Sequence, residues 1–218
     1  MTRVLVTGGN RGIGYAMAEG LLARGCEVVI GARDTAAGAE AAQTLGCAWV
    51  HLDLETLETF GPAVEAAGAV DVLINNAGVL IEDSMVANPD GLRRSMQVMF
   101  HAPFELILLC LPHMARAGQG RIVNVSSGWG AYDEGLQGPG GYGVAKAALN
   151  ALSHALPRDL PEGVSINAMC PGWVHTRMGG ASAPRTPEEG ADTAIWLALD
   201  APSDVTGKFF RDRVEKAW

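Results

Sequence analysis

The chain alternates two patterns of apolar and polar positions from end to end. Short, continuously apolar runs such as VLV, VVI and VLI predict strands buried on both faces. The strand candidates are residues 3–7, 27–31, 48–53, 70–75, 121–126, 165–169 and 207–210. Between them lie stretches with helical spacing: IGYAMAEGLLAR, closed by Gly25, the long segment 92–114, and YGVAKAALNALSHAL. In the last of these, Pro157 should end or kink the final turn. After Arg185, Thr186 at the N-cap, Pro187 at N1 and Glu189 at N3 predict a capping box and a clean helix start. The segment GWGAYDEGLQGPGG, between Ser127 and Tyr142, contains six glycines and reads as an irregular loop.

Repeated strand–helix units imply a parallel sheet with right-handed crossovers. No linker or repeat boundary interrupts them, so the expectation is one α/β domain over residues 1–218. Two folds suit such a sheet, a closed barrel or an open doubly wound sheet. The length of 218 residues, with 48% hydrophobic and 18% charged, fits one domain with a substantial core. A net charge of −8 argues against a nonspecific nucleic-acid or anionic-membrane surface. No apolar run approaches a membrane span, and a first strand starting at Arg3 leaves no room for a signal peptide. The expected location is therefore the cytoplasm. Cys26, Cys47, Cys110 and Cys170 are scattered without a C-x-x-C, which reads as reduced thiols. His51, His101, His113, His154 and His175 lack ligand spacing, and no metal is expected.

Candidate chemistry begins directly after the first strand. TGGNRGIG at 7–14 departs from G-x-G-x-x-G, because Asn10 and Arg11 stand where a second glycine is needed. It is not a P-loop either, since Tyr15 and not lysine follows Gly14. A glycine-rich strand-to-helix turn does place backbone N–H groups and a helix N-terminus where a pyrophosphate can sit. That favours the open, Rossmann-type sheet, although a tight turn without a ligand remains a reading of the motif alone. Further on come NNAG at 75–78, NVSS at 124–127 and YGVAK at 142–146. Tyr142 and Lys146, at i and i+4, share one helix face. A lysine ammonium about 4 Å from a phenol favours tyrosinate by up to ~4 kcal/mol, enough to bring a tyrosine into the working range for proton transfer.

Taken together and in this order, TGGNRGIG, Asp53, NNAG, Ser127, Tyr142-x-x-x-Lys146 and Pro171-Gly172 resemble the short-chain dehydrogenase/reductase family over essentially the whole chain. CPGWVHTRMGG, RTPEEGADTAIWLAL and FFRDR look most like its carbonyl-reductase branch. The resemblance implies a doubly wound parallel sheet of about seven strands with helices on both faces. It implies that Gly8, Gly12 and Gly14, with Asn10, Arg11 and Ile13, hold the pyrophosphate of a dinucleotide. Asp53 and Leu54 would face the adenine, and Asn75, Ala77 and Gly78 would line the adenosine ribose. Pro171, Gly172, Val174 and Thr176 would cradle the nicotinamide end. Tyr142 would give the proton to a carbonyl oxygen, Ser127 would hydrogen-bond the same oxygen, and Lys146 would bind the nicotinamide ribose and depress the tyrosine pKa. The second serine of the pair is chosen over Ser126, as in the family.

An acid at the end of the second strand would grip the ribose of NAD and repel a 2′-phosphate. Here Ala32 occupies that place, with Arg33 next to it and Arg11 nearby, so NADPH/NADP+ is the expected cofactor; Asp34 is a mild objection. One position departs from the family. Its central helix carries a catalytic asparagine in a context like V-N-x-x-G-P, whereas VMFHAP at 98–103 places Met99 there. Trp129, Leu136, Trp173 and Met178 suggest an apolar, partly aromatic pocket for a ketone or aldehyde. The family's monomers carry an insertion before the tyrosine that is absent here, so a homodimer or homotetramer is expected. Two other functions stay open: a catalytically weak dinucleotide sensor or scaffold, and an epimerase or dehydratase.

Overall fold

A computed structural model describes residues 1–218. Eight strands form one sheet: β1 (Arg3–Thr7), β2 (Glu27–Ala32), β3 (Ala48–His51), β4 (Val72–Asn75), β5 (Gly120–Val125), β6 (Val164–Met169), β7 (Phe209–Arg211) and β8 (Val214–Lys216). Their order is β3-β2-β1-β4-β5-β6-β7-β8; the first seven are parallel and β8 is antiparallel to β7. The expectation of about seven parallel strands is corrected by that hairpin. Its three residues are all exposed, so no buried apolar run announces it.

Seven α-helices cover the two faces: α1 (Gly12–Ala23), α2 (Thr35–Leu45), α3 (Phe60–Ala67), α4 (Pro89–Met96), α5 (Ala102–Ala117), α6 (Tyr142–Ala155) and α7 (Pro187–Leu199). One core packs α1 and α7 on the sheet, with Val4, Val6, Met17, Leu21, Ile30 and Leu197 among its members. The other packs α3, α5 and α6, with Leu5, Phe60, Leu73, Leu106, Ile107 and Ala145. Thus alternate residues of β1 serve opposite cores, as a strand's period of two requires.

Several local expectations hold. Thr186 and Glu189 form both bonds of the capping box, Thr186 accepting from Glu189 N–H (3.2 Å) and Glu189 from Thr186 N–H (2.8 Å). α6 ends at Ala155 and a 3₁₀ turn carries Pro157. The long segment around 92–114 is more structured than its pattern implied. α4 and α5 form one helix of 29 residues, long and apolar enough to cross a membrane, joined by a π turn over Gln97–His101. Its residues Val98, Met99, Ala102, Leu106, Ile107, Cys110 and Met114 are buried against the sheet, which accounts for the apolar composition without a bilayer.

Strand order reverses between β1 and β4, where adjacent crossovers go to opposite faces and leave a crevice at the strands' carboxyl ends. The candidate residues converge there.

Candidate active site

The crevice is opened by a lock between β1 and β4. Thr7 Oγ1 accepts from the N–H groups of Asn76 and Ala77, both at 3.0 Å, and Asn76 Nδ2 donates to Thr7 O at 2.8 Å. The glycine turn follows. Gly8 adopts φ +65°, where a side chain would be strained. At Gly14 an added Cβ would fall 2.4 Å from both Asn76 Nδ2 and Gly8 O, so only glycine lets α1 start so close to the turn. Arg11, the N-cap of α1, makes no side-chain capping bond, and the helix presents its positive end to the crevice without a side-chain cap.

The crevice is a cavity of about 770 Å³. Gly8, Asn10, Arg11, Arg33, Asp53, Leu54, Ala77 and Gly78 line it, as do Glu55, Arg94 and Arg177, to which the sequence motifs assign no role. Burial, and then the neighbouring guanidiniums of Arg177 and Arg33, pull Arg11 below the usual arginine range. Neither Arg11 nor Arg177 makes an ion pair, whereas Arg33 meets Glu55 Oε1 at 2.9 Å. Two unpaired guanidiniums beside an uncapped helix terminus are the complement of a phosphate-bearing ligand. The residues present therefore fit a dinucleotide.

Other candidates lie elsewhere. Asn75 is not on the cavity wall: it is buried in the sheet, where its Nδ2 donates to Asn124 Oδ1 at 2.9 Å. Its place is set by strand alternation, which turns Asn75 inward and leaves Asn76 to hold the turn. Gly12, Ile13 and Gly14 support the turn, and Thr176 packs its methyl over Gly12. Val174 is buried against Gly190 of α7, while Arg185 covers Gly172, next to Pro171. Asp53 holds its own loop, accepting from Glu55 N–H at 3.1 Å.

The second group sits beyond β5. Ser126 is buried and donates to Lys146 O at 3.3 Å, so its hydroxyl is occupied by the helix. Ser127 Oγ accepts from Trp129 N–H at 3.2 Å and stands near enough to the Tyr142 phenol to lower its pKa. Tyr142 and Lys146 stand one above the other at the start of α6, both buried. Lys146 Nζ lies 5.8 Å from the tyrosine ring centroid and donates to Val125 O at 2.6 Å.

Burial dominates the electrostatics of this pair. It pushes the Tyr142 phenol up to about 12, only partly offset by the neighbouring Ser127 hydroxyl. Burial likewise pushes the Lys146 ammonium down to about 8. The lysine is turned toward a backbone carbonyl, and burial keeps the phenol protonated. Trp129 meets Tyr142 edge-on at 6.0 Å and is nearly half exposed. Trp173, also exposed, donates from Nε1 to Gly179 O at 2.8 Å. Met178 lines the dinucleotide cavity, and Leu136 stands at φ +52° in the glycine-rich loop.

Met99 is fully buried within the π turn. A Cβ added at Gly78 would lie 3.3 Å from its Sδ and 3.8 Å from Lys146 Nζ, so the thioether and the lysine border the same glycine.

A family model described as short chain dehydrogenase matches residues 2–186. The chain is 31% identical to Carbonyl reductase (NADPH) 1 of Sus scrofa, over 100% of this chain and 94% of that one. It is 34% identical to a 3-oxoacyl-(acyl-carrier-protein) reductase of rhamnolipid biosynthesis from Pseudomonas aeruginosa, over 93% and 91% of the two chains. Among solved structures, the NADPH-bound carbonyl reductase from chicken fatty liver superposes with a TM-score of 0.87 at 26% identity, covering 100% of this chain and 99% of that one.

Proposed function

The chain belongs to the short chain dehydrogenase family, in its carbonyl-reductase-like branch, and from its site we propose that it reduces ketones or aldehydes to alcohols with NADPH, reversibly, in the cytoplasm. The observation that carries this reading is the placement of Ser127, Tyr142 and Lys146 together beside a cavity built for a phosphate-bearing dinucleotide. The reduced nicotinamide, when bound, supplies the hydride. Gly8, Asn10 and the α1 N-terminus would hold the pyrophosphate, Arg33 the 2′-phosphate, and Ala77 and Gly78 the adenosine end.

The chain's own residues handle the proton. A carbonyl oxygen that gains negative charge needs donors already in place. Ser127 and Tyr142 offer two neighbouring hydroxyls, and the buried, neutral phenol gives its proton to that oxygen. Lys146 places a cation below the phenol and stabilises the phenolate that remains. Trp129, edge-on to Tyr142, borders the reacting position. Names among the relatives support two substrate classes, simple carbonyls and 3-oxoacyl thioesters; the exposed Trp129 and Trp173 suit an open, permissive site.

Met99 favours one other reading, a dinucleotide-binding protein with weak catalysis. The two are separated by following NADPH oxidation against ketones, aldehydes and 3-oxoacyl thioesters. Turnover that Tyr142→Phe lowers by ~10²- to 10⁴-fold, with NADPH still bound, supports the reductase. Tight NADPH binding without turnover on any carbonyl would select the sensor.

A further inference from the structure

The carboxylate of Glu55 sits on the wall of the dinucleotide cavity, an unexpected place for an anion. It accepts from two guanidiniums at one oxygen: Arg33, just beyond β2, at 2.9 Å, and Arg94, on α4, at 2.8 Å. Its backbone is fixed from both sides. Glu55 N–H donates to Asp53 Oδ1 at 3.1 Å, and Gln97 of the π turn donates to Leu54 O at 3.1 Å. The three charged side chains come from segments far apart in sequence, and all line the cavity.

We propose that Glu55 is a cofactor-specificity residue, whose carboxylate competes with the 2′-phosphate of NADPH for Arg33 and so limits the preference for the phosphorylated dinucleotide. The proposal rests on the NADPH reading above. Arg33 can engage a phosphate fully only by leaving Glu55 or by sharing itself between two anions that repel each other. Arg94 makes the exchange possible, because it retains the carboxylate when Arg33 turns away. A dinucleotide without the 2′-phosphate offers Arg33 nothing and leaves the pair closed. Glu55 therefore acts on one cofactor and not on the other.

The size of the effect follows from exposure. The side chains are 58% (Arg33), 32% (Glu55) and 45% (Arg94) accessible, so each pair is screened by water. Exposed pairs of this kind correspond to about a two- to fivefold change in an equilibrium constant.

The test is direct binding of NADPH and NADH, followed by tryptophan fluorescence or calorimetry, to the full chain and to Glu55→Gln, Arg33→Ala, Arg94→Ala and the double variant Glu55→Gln/Arg33→Ala. Glu55→Gln should tighten NADPH by about two- to fivefold and leave NADH unchanged, which also reports an intact fold. In the Arg33→Ala background the same substitution should have no effect. Arg94→Ala should weaken NADPH, because Glu55 then has only Arg33 to hold. Tightening of both nucleotides alike, weaker NADPH binding to Glu55→Gln, or an undiminished effect without Arg33 would each overturn the role of Glu55 while leaving the NADPH assignment standing. Equal affinity of the wild type for both nucleotides, unchanged by Arg33→Ala, would instead overturn the assignment and the proposal with it.

Discussion

Lys146 shows at the scale of one residue what the site costs the fold. A fully buried ammonium has lost most of its hydration, and one backbone carbonyl, Val125 O, does not replace it. Its pKa falls to about 8, so between about 8 and the ordinary lysine value the unfolded chain binds more protons than the folded one. Stability conferred by this position therefore rises with pH across that window, and the full penalty stands below it. Lys146→Met should abolish catalysis yet unfold later in urea at pH 7, by an order of ~3 kcal/mol. The difference should close as pH approaches 10.5. Tyr142 and Cys110, both raised to about 12, act with the opposite sign at higher pH, so the quantity to measure is the gap between variant and wild type. A gap that stays flat from pH 6 to 10.5 would mean that the lysine is better solvated than its surroundings indicate. Of the site residues, those in motifs were readable because glycine turns and an i, i+4 pair are local facts. Glu55, Arg94 and Arg177 were not, because only the folded crevice brings them to Arg33 and Arg11.

The helix running through α4 and α5 poses the question at the scale of an element. Proline at 103 has no N–H to give Met99 O, and its ring would crowd that carbonyl in a regular α-helix. A π turn relieves the crowding, and Ala102 N–H reaches back five residues to Gln97 O. The π turn thus follows from Pro103 and forms with Met99 at the position of the family's asparagine. What Met99 removes is the amide, next to Lys146. If Tyr142 is reprotonated through Lys146 and water, Met99→Asn should raise kcat, by at most the lower end of the ~10²–10⁴ that acid–base assistance supplies. NADPH affinity should hardly change, because Arg33, the residue proposed to hold the 2′-phosphate, lies elsewhere. The melting temperature should fall, since an amide in a space shaped for a thioether costs ~1–3 kcal/mol where it finds no partner. Loss of both activity and stability would make Met99 a packing residue in a site that no longer uses the relay. The π turn could have been anticipated from Pro103, whereas the hairpin β7–β8 could not. Its central residues, Asp212 and Arg213, stand at φ +54° and +59° without the glycine that announces such turns. They are pinned instead by ion pairs from Arg185 and Asp192. The remaining strands were legible to within two residues at each end because their apolar runs are buried on both faces.

At the scale of the whole molecule, the parallel sheet buries its central strands between two helix layers and leaves the outer side of those layers to find its own environment. On most of that surface charged side chains meet water. The layer of α5 and α6 is different: Leu108 and Leu109 are 45% and 40% exposed, and Val144, two residues after Tyr142, is 44% exposed. The loop from Ser127 to Tyr142 is only fourteen residues long and holds six glycines, too short to fold back over both helices. We therefore expect two copies to pack through α5 and α6 as a dimer, or as a tetramer built from such dimers, each covering the other's leucines in an isologous contact. Such an interface would lie directly behind the helix that carries Tyr142 and Lys146 and would limit its freedom to move. Light scattering at micromolar concentration should give at least twice the chain mass of 22.8 kDa. Leu108→Glu, which places two like charges near the symmetry axis, should shift the population to monomer with helical content unchanged. If the dimer restrains α6, that monomer should also bind NADPH normally while turning over more slowly. A wild-type chain that scatters as a monomer would refute the interface, and a dimer indifferent to Leu108→Glu would place it on another face.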